Sequence, residues 1–223
     1  MTWIAIGLIG GLVGLDATSF PQAMWSRPLV AGTAVGLILG RPAAGLLVGI
    51  ILEIFALLIL PFGAARYPES GTAAAAAAAA YAVTAPAAGD ARLLLLAVVF
   101  ALTWERIAGA SVIFIRRLNE RLVARPMPND AIERALPRRH LLAVSIDFVR
   151  GIWAVLLGSA AGILLLRAFG PLMFGGEGLS TGLLIVATAA MLGSALPLFG
   201  GVRKRWPALA LGMVCGALVL LLQ

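Results

Sequence analysis

The stretch Leu29-Val30-Ala31-Gly32-Thr33-Ala34-Val35-Gly36-Leu37-Ile38-Leu39-Gly40-Arg41-Pro42-Ala43-Ala44-Gly45-Leu46-Leu47-Val48-Gly49-Ile50-Ile51-Leu52-Glu53 decides how the chain folds. It is apolar enough for lipid, yet it is broken. Twelve residues from Leu29 to Gly40 precede Arg41-Pro42, and ten from Ala43 to Leu52 precede Glu53. A helix that crosses a bilayer needs about 20 apolar residues. On either side the pieces are also short: Trp3 to Leu15 ends at Asp16, and Ile54 to Leu60 runs into Pro61-Phe62-Gly63-Ala64-Ala65-Arg66-Tyr67-Pro68-Glu69-Ser70-Gly71. Short apolar segments interrupted by Gly, Pro and charge are the pattern of discontinuous helices around a transport site. Irregular backbone at membrane depth survives where protein or water covers it. Whether these pieces cross fully or re-enter is left open by hydropathy.

The whole chain agrees with a membrane setting. Its 223 residues are 61% hydrophobic and 12% charged, with a mean hydropathy of +1.03. A soluble domain carries about 25% charged residues, so too little polar surface is present to coat a water-soluble globule. The net charge of +7 comes almost wholly from Arg at the ends of apolar stretches. That placement fits the positive-inside rule and not a nucleic-acid stripe. One cysteine, Cys215, allows no disulfide within the chain and no cysteine-rich metal site, and one histidine, His140, leaves little material for a His-based metal cluster or a Ser-His-Asp triad. No cleavable signal peptide is expected, because the first segment lacks a basic leader and runs into Asp16.

The second half reads as regular spans: Leu93 to Ile115, Leu141 to Leu166, Gly178 to Val202 and Trp206 to Gln223. Asp147 and Arg150, three apart in an apolar run, are placed to pair on one helix face. Residues 116–139 form a polar, Arg-rich link, in which Pro126, Pro128 and Pro137 are expected to limit helix length. Together with Arg203-Lys204-Arg205 it is expected on the cytoplasmic side, and Phe169 to Ser180 outside. The expected fold is therefore all-α: one polytopic membrane domain, 1–223, with about six or seven membrane segments. Residues 1–90 form its motif-bearing half, with broken and possibly re-entrant helices, and 91–223 its regular spanning half. Eight consecutive alanines, Ala73 to Ala80, make a helix with a smooth surface for close packing or sliding, although codon drift in a buried helix yields the same run. Glycines four apart (Gly32, Gly36 and Gly40; Gly45 and Gly49; Gly158 and Gly162; Gly212 and Gly216) favour tight helix packing.

Ionisable groups inside lipid cost about 2.5–3.5 kcal/mol each on insertion scales. Glu53, with apolar runs before and after it, is the sharpest case: it can accept sugar hydroxyls, hold a cation or carry a proton, or it can pair internally with Arg41 or Arg66. Asp16 and Arg27 bracket Ala17-Thr18-Ser19-Phe20-Pro21-Gln22-Ala23-Met24-Trp25-Ser26, where amide, carboxylate and aromatic groups mix as carbohydrate recognition requires; an interfacial loop anchored by Trp25 fits the same residues. Charges at Asp147-Arg150 and Glu105-Arg106 read most simply as helix pairs near the cytoplasmic side. No Walker A loop, HExxH or GxSxG stands in the chain, so an ATP-driven motor, a protease and a lipase find no support.

The run Gly14-Leu15-Asp16, then Gln22 to Ala31, Gly36 to Gly49, Leu52-Glu53 and Pro61 to Glu69 resembles the IIC component of the mannose/fructose/sorbose family of the bacterial sugar phosphotransferase system. The resemblance covers residues 7 to 85 in a specific order of motifs. It implies a permease subunit of the bacterial inner membrane, beside a IID membrane partner, in multimers of paired chains. Sugar would cross by an elevator-like movement, and soluble IIA and IIB proteins would supply phosphate. It further implies no phosphorylated or catalytic residue in this chain, no cofactor and no metal. On the matched positions the sugar-site candidates are Gln22, Glu53, Gly63, Ala64 and Glu69, with Asp16 and Arg27 shaping the site. The Arg-rich link would dock the phosphorylated IIB protein or lipid phosphates. One departure stands out: the family loop ends with paired acids, whereas Tyr67-Pro68-Glu69-Ser70 has one. A stand-alone secondary transporter or channel using Glu53 and Asp16 for a coupling ion remains the alternative, and a scaffold that has lost transport is a third reading.

Overall fold

The computed structural model describes residues 1–57, 69–123 and 129–173, side chains at 122–135 excepted, and eight single positions between 182 and 214. Within them lie six helices: α1 (Thr2–Thr18), α2 (Pro28–Ile38), α3 (Pro42–Ala56), α4 (Ser70–Thr84), α5 (Ala91–Val123) and α6 (Asn129–Phe169), closed by a 3₁₀ turn at Gly170–Leu172. No strand occurs among the described residues. The all-α membrane fold is as expected. α5 and α6 supply two spans long and apolar enough to cross a bilayer, Ala91–Arg121 and Leu136–Leu172. At 1.5 Å per residue, α2 is about 16 Å long and α3 about 22 Å, too short to cross alone. They form a hairpin instead. Gly212 and Gly216, and the two last expected spans apart from a few single positions, lie outside the described residues.

α4 is the centre of the bundle and touches all five other helices. Every residue from Ala73 to Ala80 is at most 1% exposed. A helix surrounded on all sides must be thin. Alanine keeps the helix thin and costs no side-chain entropy, so the run that looks featureless in sequence is the axle of the fold. α6 runs parallel to α4: a Cβ at Gly158 would meet Ala76, and one at Gly162 would meet Ala80. α1 lies antiparallel on α6, with Gly10, Gly11 and Gly14 against Gly151 and Phe148. The outward faces are apolar, with Ile4, Leu8 and Leu12 on α1 and Val149, Trp153, Leu157 and Leu164 on α6 all exposed, as a lipid-facing surface is.

The α2–α3 hairpin is a glycine contact. Gly32 and Gly36 press on Gly45, and Gly49 on the backbone of Pro28 and Leu29. Both helices begin with proline at their first position, where the missing N–H costs nothing. The turn between them uses Gly40 in the left-handed region, φ 68°. Arg41 does not pair with Glu53. Its guanidinium reaches the C-terminal end of α4 and donates to the carbonyls of Ala82 at 2.9 Å, Ala85, and Pro86 at 2.6 Å. A cation on unsatisfied terminal carbonyls is the favourable end of the helix dipole. At the other end of α4, Gly71 sits against the Ser26 backbone so closely that a Cβ there would overlap it.

The expected polar loop at 116–139 is corrected. α5 continues to Val123, and α6 starts at Asn129 and carries Pro137 in its interior. Leu, Arg and Glu are good helix formers, so polarity ends the apolar surface without ending the helix. Proline removes one i→i−4 bond, and the helix proceeds past it.

Asp90 caps α5. Its Oδ1 accepts from the Arg92 and Leu93 backbone N–H groups at 2.8 and 3.3 Å, and its Oδ2 from Arg92 Nη2 at 2.8 Å. The Arg92 side chain, above all, holds the Asp90 carboxyl below the ordinary aspartate range. A depressed folded value means stability that is present above the unfolded value near 4 and lost as pH falls through the folded one. Asp90→Ala is expected to cost about 1 kcal/mol at neutral pH, read as a lower thermal midpoint. The gap to the wild type should close in acid.

Candidate functional site

The site residues assemble from helix ends. At one end of the bundle α1 finishes, α2 and α4 begin and α3 finishes, so Asp16, the 19–27 loop, Glu53 and Glu69 come to one level of the structure. Gly63 and Ala64, the backbone part of the expected sugar site, lie outside the described residues, as does Arg66.

Asp16 is 3% exposed and shapes the loop after α1. Its two oxygens accept from the Ala23 N–H at 2.5 Å and the Ser26 N–H at 2.8 Å. In the loop, Gln22 and Met24 have φ of 60° and 66°, a conformation that costs non-glycine residues about 1–2 kcal/mol. The carboxylate offsets that strain. Gln22, Met24 and Trp25 are exposed in consequence.

Glu53 pairs with Arg27, a partner not among the two expected from sequence. Arg27 Nη1 stands 3.4 Å from Glu53 Oε1, with the two side chains 44% and 19% exposed. Glu53 Oε2 accepts the Leu29 N–H, in the first turn of α2, at 3.2 Å. The carboxylate is thus held against a helix N-terminus and a cation, but loosely and with access from outside. Loose, half-exposed pairs contribute little to stability.

Glu69 is elsewhere in character. It is 1% exposed; its Oε1 accepts from Arg150 Nη2 at 3.1 Å and its Oε2 from Thr72 Oγ1 at 3.0 Å. Its acceptors are engaged by the protein in this conformation, so it belongs to a buried ionic network and not to the open pair at Glu53. Arg150 is the hub. Its Nε donates to Asp147 Oδ1 at 2.7 Å, and Nη2 also to the Gly14 carbonyl at 3.3 Å. Nη1 lies 3.5 Å from Ser111 Oγ. Asp147 Oδ2 accepts in addition from Thr18 Oγ1 at 2.5 Å and Ser19 Oγ at 2.8 Å. The network therefore ties α1, α4, α5 and α6 together.

The pairing of Asp147 with Arg150 is as read from sequence. Trp104 Nε1 donates to the Ala154 carbonyl at 3.0 Å, which aligns the middles of the two apolar spans. Arg150 is one turn, about 6 Å, from that level. It is buried inside the bundle. The signal was present, since two charges interrupt an otherwise apolar helix. Their partners at Thr18, Ser19 and Glu69 carry no local pattern.

Short helices in a hairpin, long spans beside them, an alanine-rich central helix and charged groups at the meeting of helix ends are the pattern of a membrane transport protein built on discontinuous helices. The model of the EII-Sor family, described as "PTS system sorbose-specific iic component", matches residues 1–222. The chain belongs to this family of phosphotransferase-system (PTS) permease components. Solved structures share the fold. One described as the structure of a membrane protein has a TM-score of 0.64 and 16% identity, over 99% of this chain and 94% of that one. The cryo-electron microscopy structure of the mannose transporter ManYZ in complex with a microcin has a TM-score of 0.55 and 19% identity, over 97% and 86%. No curated protein sequence matches the chain.

Proposed function

We propose that the chain is the IIC subunit of a phosphotransferase-system permease that carries a hexose or related sugar across the bacterial inner membrane together with a IID membrane subunit. The translocating step is an elevator-like movement of the helices that hold the sugar. Soluble IIA and IIB proteins phosphorylate the sugar on the cytoplasmic side, and the chain itself supplies no catalytic residue. The family match over residues 1–222 supports this reading, and the mannose transporter's two-part name accords with a second membrane subunit. The observation that carries the site is the Glu53–Arg27 pair. Partly exposed and anchored on the first turn of α2, Glu53 can exchange Arg27 for sugar hydroxyls at little cost, which the buried Glu69 cannot do in this conformation. Gln22 and the backbone after α3, including Gly63 and Ala64, complete the site, with Asp16 and Arg27 holding its shape.

The exposed arginines Arg117, Arg121 and Arg138, on the parts of α5 and α6 that extend past the network, face the cytoplasm in this proposal and meet IIB or lipid phosphates. Uptake of labelled hexoses by cells with the complete set of components tests the reading. Charge-assisted hydrogen bonds are worth about 1.5–3 kcal/mol, so Glu53→Gln is expected to lower phosphorylating uptake about tenfold or more with the protein still in the membrane. Undiminished uptake removes Glu53 from the site. A IID protein is expected to co-purify; a solitary chain that transports alone would establish the secondary-transporter alternative.

A further inference from the structure

One buried acid has no part in the network just described. Glu105 lies on the inward stripe of α5, in register with Ala101, Ala108 and Val112, all buried, and is itself 5% exposed. Its Oε1 has no hydrogen-bond partner. That stripe faces α4 and α6: Trp104 bonds the α6 backbone on one side of Glu105, and Ser111 meets Arg150 on the other.

The charges around it do not balance. α4 contributes Glu69; α6 contributes Asp147 and Arg150. α5 contributes Arg106, next to Glu105 in the chain and exposed. α3 also touches α5, and its acid Glu53 is engaged with Arg27. With Glu105 ionised, the described residues of α4, α5 and α6 would set three buried carboxylates, Glu69, Glu105 and Asp147, against one buried guanidinium, Arg150. Glu69 and Asp147 have every oxygen matched by a donor from Arg150, Thr72, Thr18 or Ser19. Glu105 has none for Oε1. A buried carboxylate with an unbonded oxygen and no buried counter-charge of its own is costly enough that the group neutralises instead. A metal ion would require further oxygen or nitrogen ligands, and no three acidic, His or Cys side chains among the described residues are grouped to hold one.

We propose that Glu105 is a proton-binding site: in this conformation its carboxyl holds a proton and stands beside the Glu69–Arg150–Asp147 network as the neutral acid. The proton binds to a carboxylate oxygen and leaves to water when the helices part. No other atom changes partners covalently. A conformation in which Glu105 meets water binds that proton more weakly, so rising pH favours it, by at most about tenfold per pH unit for one proton.

The test uses the full chain reconstituted in phosphatidylcholine nanodiscs. The infrared spectrum at neutral pH is expected to contain a carboxylic-acid C=O band that Glu105→Gln abolishes and Glu69→Gln retains. The thermal midpoint of the wild type should fall from neutral to alkaline pH, and that of Glu105→Gln should stay constant, since an amide mimics the neutral acid. These midpoints decide the matter if Glu69→Gln does not fold. The proposal is overturned if the wild type lacks the band, if the band survives Glu105→Gln, or if Glu105→Gln itself does not fold. It is equally overturned if replacing N-methylglucamine by sodium raises the midpoint of the wild type alone, because a metal cation then covers the charge.

Discussion

Arg150→Ala is expected to leave almost no folded protein after detergent extraction. The substitution strands Glu69 and Asp147, 1% and 5% exposed, without their cation. Removing one partner of a buried ion pair costs about 3–5 kcal/mol, and here one guanidinium serves two acids. Total stabilities are about 5–15 kcal/mol, so this one change consumes a large part of the margin. Arg150→Lys should do little better. A single ammonium cannot place donors on Asp147, Glu69, the Gly14 carbonyl and Ser111 from one fixed fork. The double variant Arg150→Gln with Glu69→Gln is expected to recover part of the loss. It restores neutrality on the α4 side, and Asp147 keeps its bonds from Thr18 and Ser19. Thermal midpoints of the four proteins in detergent check the order; a stable Arg150→Ala chain would show that the network does not hold the helices.

Gly45→Ala is expected to be the second severe change, although it adds one methyl group. A Cβ at Gly45 would overlap the Gly32 carbonyl and come within 2.8 Å of the Gly36 Cα. Those are backbone atoms and cannot rotate away. The α2–α3 hairpin must open, at about 1–3 kcal/mol for overpacking of this kind, and the shift moves Leu29 away from Glu53. Uptake is therefore expected to fall together with the thermal midpoint. Gly40→Ala provides the contrast. Nothing lies within 4 Å of a Cβ there, and the cost is only that of φ 68° for an alanine, about 1 kcal/mol. If Gly40→Ala proves the more damaging of the two, close packing does not govern the hairpin.

Much of this architecture was legible in the residues, for reasons that differ from element to element. The 12- and ten-residue runs between charges are too short to cross, so broken helices followed from local rules, whereas their pairing into a hairpin that starts at Pro28 and Pro42 did not. Asp147 and Arg150 announce their pairing because helix geometry puts residues three apart side by side. Glu69 does not announce Arg150, 81 residues away, because contacts between helices depend on which faces meet, and an all-alanine helix has no distinctive face. Glu53 was visible as an acid in an apolar setting, but its partner was not: Arg41 and Arg66 were the arginines expected, and Arg27 holds it. Pro137 misled in the opposite direction, since a local rule for ending helices was overridden by good helix formers on both sides of it.

The hairpin is fastened to the alanine helix at two levels, by Arg41 on the carbonyls at one extremity and by Ser26 wedged against Gly71 at the other. A slip of one helical turn between them, about 5.4 Å, would tear the arginine from its acceptors and drive a carbonyl into the glycine. The pair has no independent gear: α2, α3 and α4 are fastened into one cassette, which the polar latch at Arg150 ties to α1, α5 and α6.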